Sequence, residues 1–163
     1  MMTKDEKIEQ DKEDNPHKNR VHRVLAHSYL VTFFFFLVGL FLDSIFPLKI
    51  FEDNGKMVFG AIFLVLGTAL IFWAQGSSLR LSKEDKKKDT FYRGPYKYTR
   101  SPTHFGLLLL MLGFGITANA MFIIIFSIIS FLISKIYFLR KEEQILVEKY
   151  GTPYLEYKKA VKF

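Results

Sequence analysis

Three long stretches with almost no formal charge limit what this chain can fold into. They are residues 25–46, where Asp43 is the only formal charge, residues 57–79 and residues 101–134. About 20 apolar residues cross the hydrocarbon core of a bilayer as a helix. Because backbone polar groups within lipid must be satisfied by the segment itself, we predict an all-α integral membrane protein.

The third stretch is too long for one crossing. Its uncharged residues would form a straight helix of about 51 Å, whereas the hydrocarbon core is about 30 Å thick. Thr117-Ala118-Asn119-Ala120 is its only polar interruption. We therefore place a turn there and predict about four transmembrane helices, the last two forming a tight hairpin. Lys135 can reach the membrane surface, so the last helix can continue to Leu139.

Small residues in the second stretch predict a close helix contact. Gly60 and Gly67 are seven residues apart and share one helix face. Residues without a bulky side chain let helix backbones approach each other in lipid.

Basic residues fix the predicted orientation. The segments before residue 24, from 80 to 100 and from 140 to 163 hold six, eight and six Lys or Arg, whereas the other connections hold two and none. Four crossings put the three basic segments on one side, which the positive-inside rule makes the cytoplasm. We predict a multi-pass protein with cytoplasmic N- and C-termini.

The chain divides into three predicted parts. Residues 1–23 form a disordered or loosely helical polar tail, since they offer no apolar face to bury. Residues 24–79 hold two membrane helices, and residues 80–163 form a core with a loop, the hairpin and a cytoplasmic C-terminal helical segment. In that last segment Gly151 predicts a helix end and Pro153 a new helix.

Composition excludes several kinds of site. The chain has no Cys, hence no disulfide, thiolate metal ligand or cysteine nucleophile. His17, His22 and His27 are spaced by five and do not share a helix face, so we expect no metal site. The net charge of +7, beside such apolar stretches, suggests membrane lipids with anionic headgroups as partners and not nucleic acid.

Two polar segments are candidates for function. Residues 91–106, FYRGPYKYTRSPTHFG, hold two prolines that restrict the backbone. In an extended chain Tyr96, Tyr98 and Arg100 would share one side, which could stack a base and bind a carboxylate, although such residues are also common at membrane interfaces. Glu142 and Glu143 follow the last apolar stretch. They could be a solvated face, or could bind a ribose diol or an amine.

Taken together, GPYKYTRSPTHFG and EEQILVEKYGTPYLEYKKAV resemble the C-terminal half of the isoprenylcysteine carboxyl methyltransferase and phospholipid methyltransferase superfamily of integral membrane enzymes. The resemblance covers roughly residues 90–163. The chain departs from the superfamily pattern at Ser101, where a histidine is usual, and at His104, where a tyrosine is usual. The matching elements are Gly94, Tyr96, Arg100, Pro102 and Gly106, then Glu142-Glu143, Leu146, Tyr150-Gly151, Tyr154 and Tyr157.

This resemblance implies S-adenosyl-L-methionine as cofactor, bound from the cytoplasm, and a lipophilic small-molecule or lipid acceptor that arrives from the bilayer. Arg140 and Glu143 are then the catalytic candidates, Arg140 (or Lys135) orienting the acceptor headgroup. The acceptor could be an isoprenylcysteine-like carboxylate, a phospholipid amine or another amphiphile. A non-catalytic membrane protein that keeps the fold, and a lipid reductase of related architecture, are the alternatives. The implied cofactor-binding residues are Asp89, Thr90, Phe91, Gly94, Tyr96, Arg100, Ser101, Pro102, His104, Glu142 and Glu143.

Overall fold

The computed structural model describes residues 4–52, 56–81 and 92–161, and within these ranges the chain forms helices and no strands. This confirms the predicted all-α fold. A short 3-10 helix, Gly94–Lys97, precedes α3, and a π-helical turn, Ser134–Phe138, joins α4 to α5. The α-helices are α1 (Lys4–Ile45), α2 (Met57–Leu81), α3 (Pro102–Thr117), α4 (Met121–Ile133), α5 (Leu139–Tyr150) and α6 (Thr152–Ala160).

Three helical segments are long and apolar enough to cross a membrane. They are Arg23–Ile45, Met57–Ser77 and Met121–Tyr150, and α3 is a shorter apolar helix. These apolar helices lie where the sequence placed its four predicted membrane helices, and three of them are long enough to cross. The helical backbone of α1 begins at Lys4, within the tail for which a disordered or loosely helical state was predicted.

The predicted hairpin is present, with its turn where the sequence placed it. Helix α3 ends at Thr117 and α4 begins at Met121. Between them Asn119 adopts a positive φ of 54°, which asparagine tolerates better than most residues. Its side-chain Oδ1 accepts hydrogen bonds from the backbone N–H groups of Ile50 and Phe51, at 2.9 and 3.0 Å. The hairpin turn is thereby bound to the connection between α1 and α2.

Asp43 joins the end of α1 to the beginning of α4. Its two carboxylate oxygens accept hydrogen bonds from the N–H groups of Phe122 (3.1 Å) and Ile123 (2.9 Å). The first N–H groups of a helix lack partners within the helix, so an acidic side chain there satisfies them and complements the helix dipole. Because α1 meets the start of α4 at its own end, the two helices run antiparallel.

Helices α2 and α3 approach closely along a seam of glycines, as Gly60 and Gly67 predicted. A Cβ placed on Gly67 would lie 2.8 Å from both the carbonyl oxygen of Gly106 and the backbone nitrogen of Leu110. One placed on Gly60 would lie 2.8 Å from the carbonyl oxygen of Gly113. Side chains other than hydrogen therefore do not fit at these positions without moving a backbone.

Candidate functional site

A buried carboxylate with two cationic neighbours forms the centre of the polar site. The Glu143 side chain on α5 is only 7% exposed, and Arg100, just before α3, places Nη1 2.5 Å from its Oε1. Lys158 on α6 places Nζ 2.7 Å from Oε2. Arg100 is 15% exposed and Lys158 is 42% exposed. One carboxylate thus connects the loop before α3 with the two C-terminal helices.

Glu142 has different surroundings although it is the next residue. It is half-buried, and none of the cations that the structure describes forms an ion pair with it. Glu143 therefore has two cationic partners within the described site, whereas Glu142 has none among the described residues.

Aromatic residues of α6 close one side of the site. Tyr154 and Tyr157 are buried, with ring centroids 5.7 Å apart, and they pack with Val161. The Tyr157 hydroxyl donates a hydrogen bond to the Tyr96 carbonyl oxygen at 2.7 Å. Burial raises the pKa of Tyr154 and of Tyr157 above the usual 10.0. The carboxylates of Glu143 and Glu142 raise the pKa of Tyr154 further, and the neighbouring Tyr96 raises that of Tyr157. Both phenols are therefore neutral hydrogen-bond donors at physiological pH.

The loop before α3 is shaped by a glycine and two prolines. Gly94 has a positive φ of 54° and packs on α2, where a Cβ would lie 3.1 Å from Trp73 Nε1. Pro95 and Pro102 are buried, and Pro102 begins α3. Because residues 94–97 form a 3-10 helix, the loop is not extended. Tyr98 is consequently exposed, whereas Arg100 turns inward to Glu143.

His104 lies among buried hydroxyl groups between the membrane helices. Its Nε2 is 3.0 Å from Ser28 Oγ on α1, which in turn donates a hydrogen bond to Ser134 Oγ at 3.3 Å. A water-sized cavity of about 10 Å³ adjoins the ring and is also bordered by Thr32 and Ser130. The ring therefore faces the bundle interior.

The predicted site residues fall into three groups. Arg100, Glu142 and Glu143 come together with the 3-10 helix that begins at Gly94 and holds Tyr96. Ser101 and Pro102 lie buried at the start of α3. Arg140 is exposed on α5 and forms no part of the Glu143 ion pairs. Asp89, Thr90 and Phe91 lie outside the described residues. In the part of the chain that the structure describes, no group of three or more His, Asp or Glu could hold a metal ion.

Two residues of the site were not identified from the sequence. Lys158 was part of a basic C-terminal end, and only its place one residue after Tyr157 could have connected it to the site. Ser28 lies in the first apolar stretch, where a serine is ordinary, and its Oγ is 3.0 Å from His104 Nε2. Both contacts join elements that are far apart in sequence.

The helices and the polar site at one end of their bundle define an all-helical integral membrane protein. Residues 55–153 match the sequence profile of the phospholipid methyltransferase family, and the chain belongs to that family. No curated protein and no solved structure matches the chain significantly. Family membership confirms the resemblance seen in the sequence and implies a membrane methyltransferase. The matched range contains α2 to α5, whereas α1 lies outside it and α6 begins at its end.

Proposed function

We propose that the protein transfers a methyl group from S-adenosyl-L-methionine to a lipophilic acceptor at the cytoplasmic surface of the membrane. The observation that carries this proposal is the contrast within the acidic pair. Glu143 is buried between Arg100 and Lys158, whereas Glu142 has no cationic partner among the described residues. The pair lies in the family-matched range, and we assign Glu142 to the ligand.

The residues present fit this cofactor. S-adenosyl-L-methionine carries a ribose diol, an ammonium and a sulfonium, all of which suit a carboxylate, and an adenine that suits an aromatic surface. When bound, it supplies an electrophilic methyl group. We assign its binding to the loop and first turn of α3, with Glu142 and Glu143 opposite. The proposed residues are Asp89, Thr90, Phe91, Gly94, Tyr96, Arg100, Ser101, Pro102, His104, Glu142 and Glu143.

The protein's main contribution is placement. An in-line methyl transfer needs little acid–base help, so holding both reactants at contact distance supplies most of the acceleration. The Glu143 ion pairs fix α5 and α6 against the loop, and buried Tyr154 and Tyr157 exclude water on that side. We propose that Arg140, exposed at the start of α5, orients the acceptor headgroup. A phospholipid amine and an isoprenylcysteine-like carboxylate are both acceptors of the proposed kind.

Transfer of a radiolabelled methyl group tests the proposal directly. Purified protein in vesicles is incubated with methyl-tritiated S-adenosyl-L-methionine and either phosphatidylethanolamine or a prenylcysteine, and label in the lipid extract is counted. Calorimetry with S-adenosylhomocysteine measures cofactor-site binding separately. We expect transfer to one acceptor and micromolar binding, both lost in a Glu142→Gln/Glu143→Gln double variant.

Glu148→Gln is the matched control for this experiment. Glu148 lies on the same helix α5, is about half exposed and contacts the equally exposed Arg20 at 3.2 Å. Its charge can therefore be removed without touching the site, and both transfer and binding should persist. The proposed function would be refuted if folded wild-type protein bound neither S-adenosyl-L-methionine nor S-adenosylhomocysteine at millimolar concentration.

A further inference from the structure

A single residue joins the last helix, α6, to the helix before it. Helix α5 ends at Tyr150, α6 begins at Thr152, and Gly151 between them has φ 62° and ψ −133°. Residues with a Cβ rarely adopt this combination, whereas glycine does so readily. A Cβ placed on Gly151 would meet no atom of the described residues within 4 Å. Rotation about this one backbone position would therefore swing α6 as a body.

Two polar contacts hold α6 against residues of the proposed cofactor site. The Tyr157 hydroxyl donates a hydrogen bond to the Tyr96 carbonyl oxygen at 2.7 Å, and Lys158 Nζ lies 2.7 Å from Glu143 Oε2. Tyr96 and Glu143 both belong to the set to which we assign cofactor binding. Both contacts are made towards the end of α6 that is remote from Gly151. We call these two contacts the latch.

Buried side chains fill the space beneath α6. Tyr154, Tyr157 and Val161 are 2–7% exposed and pack together, and the Tyr157 ring meets the Tyr92 ring edge-on with centroids 5.3 Å apart. The opposite side of the helix, which includes Lys159, is exposed. Packed rings leave no gap through which a nucleoside could pass. A cofactor bound beneath α6 therefore cannot be exchanged on this side unless the helix moves.

Resting on the proposed function, we propose that α6 is a hinged lid that turns about Gly151 and is held shut over the cofactor site by the latch. The cofactor enters, and the spent cofactor leaves, while the lid is open. A neutral hydrogen bond and an ion pair whose lysine is 42% exposed are individually weak. The lid can therefore open while the helices that it covers stay folded.

A lid and a fixed wall predict different binding kinetics. If α6 only contacts the ligand, weakening its attachment speeds dissociation and leaves association unchanged. If α6 must open, a weaker latch raises the fraction of open molecules, whether or not ligand is bound, because both latch contacts lie within the protein. Association and dissociation then both become faster, and Kd changes less than either rate constant.

The first test is surface plasmon resonance of S-adenosylhomocysteine binding to immobilised full-length protein in detergent. This ligand has no net charge, so the loss of one lysine charge affects it little directly. We expect Tyr157→Phe and Lys158→Gln each to raise both rate constants about fivefold. Gly151→Ala strains the closed backbone and should raise both about tenfold. Lys159→Gln removes the same charge from the exposed neighbour of Lys158 and should change neither rate constant.

The absence of Cys from the chain allows a direct measurement of lid opening. Val161→Cys places a single thiol in the buried cluster, and Ala160→Cys places one at the next, exposed position. We expect maleimide to label the Val161→Cys thiol slowly, more slowly with saturating S-adenosylhomocysteine, and faster when Tyr157→Phe or Gly151→Ala is added. The Ala160→Cys thiol should react quickly in every case. Simple fraying of the last residues would not respond to a change at Gly151, at the other end of α6.

The outcomes separate the lid from the proposed function. Unchanged association rate constants in Tyr157→Phe and Lys158→Gln would overturn the lid even if dissociation became faster, and would leave the proposed function standing. Labelling of the Val161→Cys thiol that neither ligand nor Tyr157→Phe alters would overturn it as well. Failure of folded wild type to bind S-adenosylhomocysteine at millimolar concentration would remove both proposals. Circular dichroism checks the fold of each variant, and the two latch variants decide the question if Gly151→Ala does not fold.

Discussion

Adding one methyl group at Gly67 should separate α2 from α3. The new Cβ would lie 2.8 Å from two backbone atoms, Gly106 O and Leu110 N, whereas ordinary contact begins at 3.4 Å. The helices must therefore move apart by the difference, about 0.6 Å, because backbone atoms cannot rotate away. Overpacking of this kind costs typically about 1–3 kcal/mol. We expect Gly67→Ala to lower the free energy of unfolding by an amount in that range.

Gly76→Ala provides the matched control on the same helix. A Cβ at Gly76 meets no atom within 4 Å, so the higher helix propensity of alanine should leave stability unchanged or raise it by up to about 1 kcal/mol. Unfolding by dodecyl sulfate in mixed micelles, followed by circular dichroism, measures both variants. Equal stability of Gly67→Ala and Gly76→Ala would refute the close α2–α3 packing.

Three further predictions concern the other polar contacts. Arg100→Gln should cost about 3 kcal/mol because it removes the main partner of a buried carboxylate, whereas Lys158→Gln, at a 42% exposed side chain, should cost less than about 1 kcal/mol. Equal losses in the same unfolding assay would contradict this order. Asp43→Ala should cost about 1–2 kcal/mol and speed hydrogen exchange of the first α4 amides, whose hydrogen bonds it removes. Unchanged hydrogen exchange would show that the Asp43 carboxylate does not protect these amides. Burial, with added repulsion from Glu143 and Glu142, raises the pKa of Tyr154 above 10.0. The stability this provides is complete below pH 10.0 and is lost as pH rises further, so melting temperatures from about pH 8 to pH 11 should fall less steeply in Tyr154→Phe.

The membrane helices and the hairpin turn could be predicted because their signals are local. The length of an uncharged stretch reports how often it can cross a bilayer, and Thr117 to Ala120 was the only polar break in the third stretch. The spacing of Gly60 and Gly67 likewise marks one face of one helix. Such patterns require no knowledge of which helix lies opposite.

The composition of the site could be predicted only in part. Arg100, Glu142 and Glu143 belong to recognisable motifs, and the structure brings them together. The motif pattern does not show that Lys158 shares Glu143 with Arg100. Nor does it show that His104 turns towards Ser28. Each of these contacts depends on how separate helices pack, and one sequence does not encode that packing as a local pattern.

The π-helical turn Ser134–Phe138 determines which way the acidic pair faces. In that turn the N–H of Leu139 donates to the carbonyl oxygen of Ser134, five residues earlier, so the turn accommodates one residue more than an α-helix would. Each residue rotates an α-helix by about 100°. Deleting a single residue from the α-helical part of this segment, outside the turn, would leave it long enough and apolar enough to cross the bilayer, yet would turn Glu143 about 100° away from Arg100. The shortened segment would still span the bilayer, but the ion pair between Arg100 and Glu143 would be broken. Insertions and deletions in this span are therefore restricted by the site and not by the membrane.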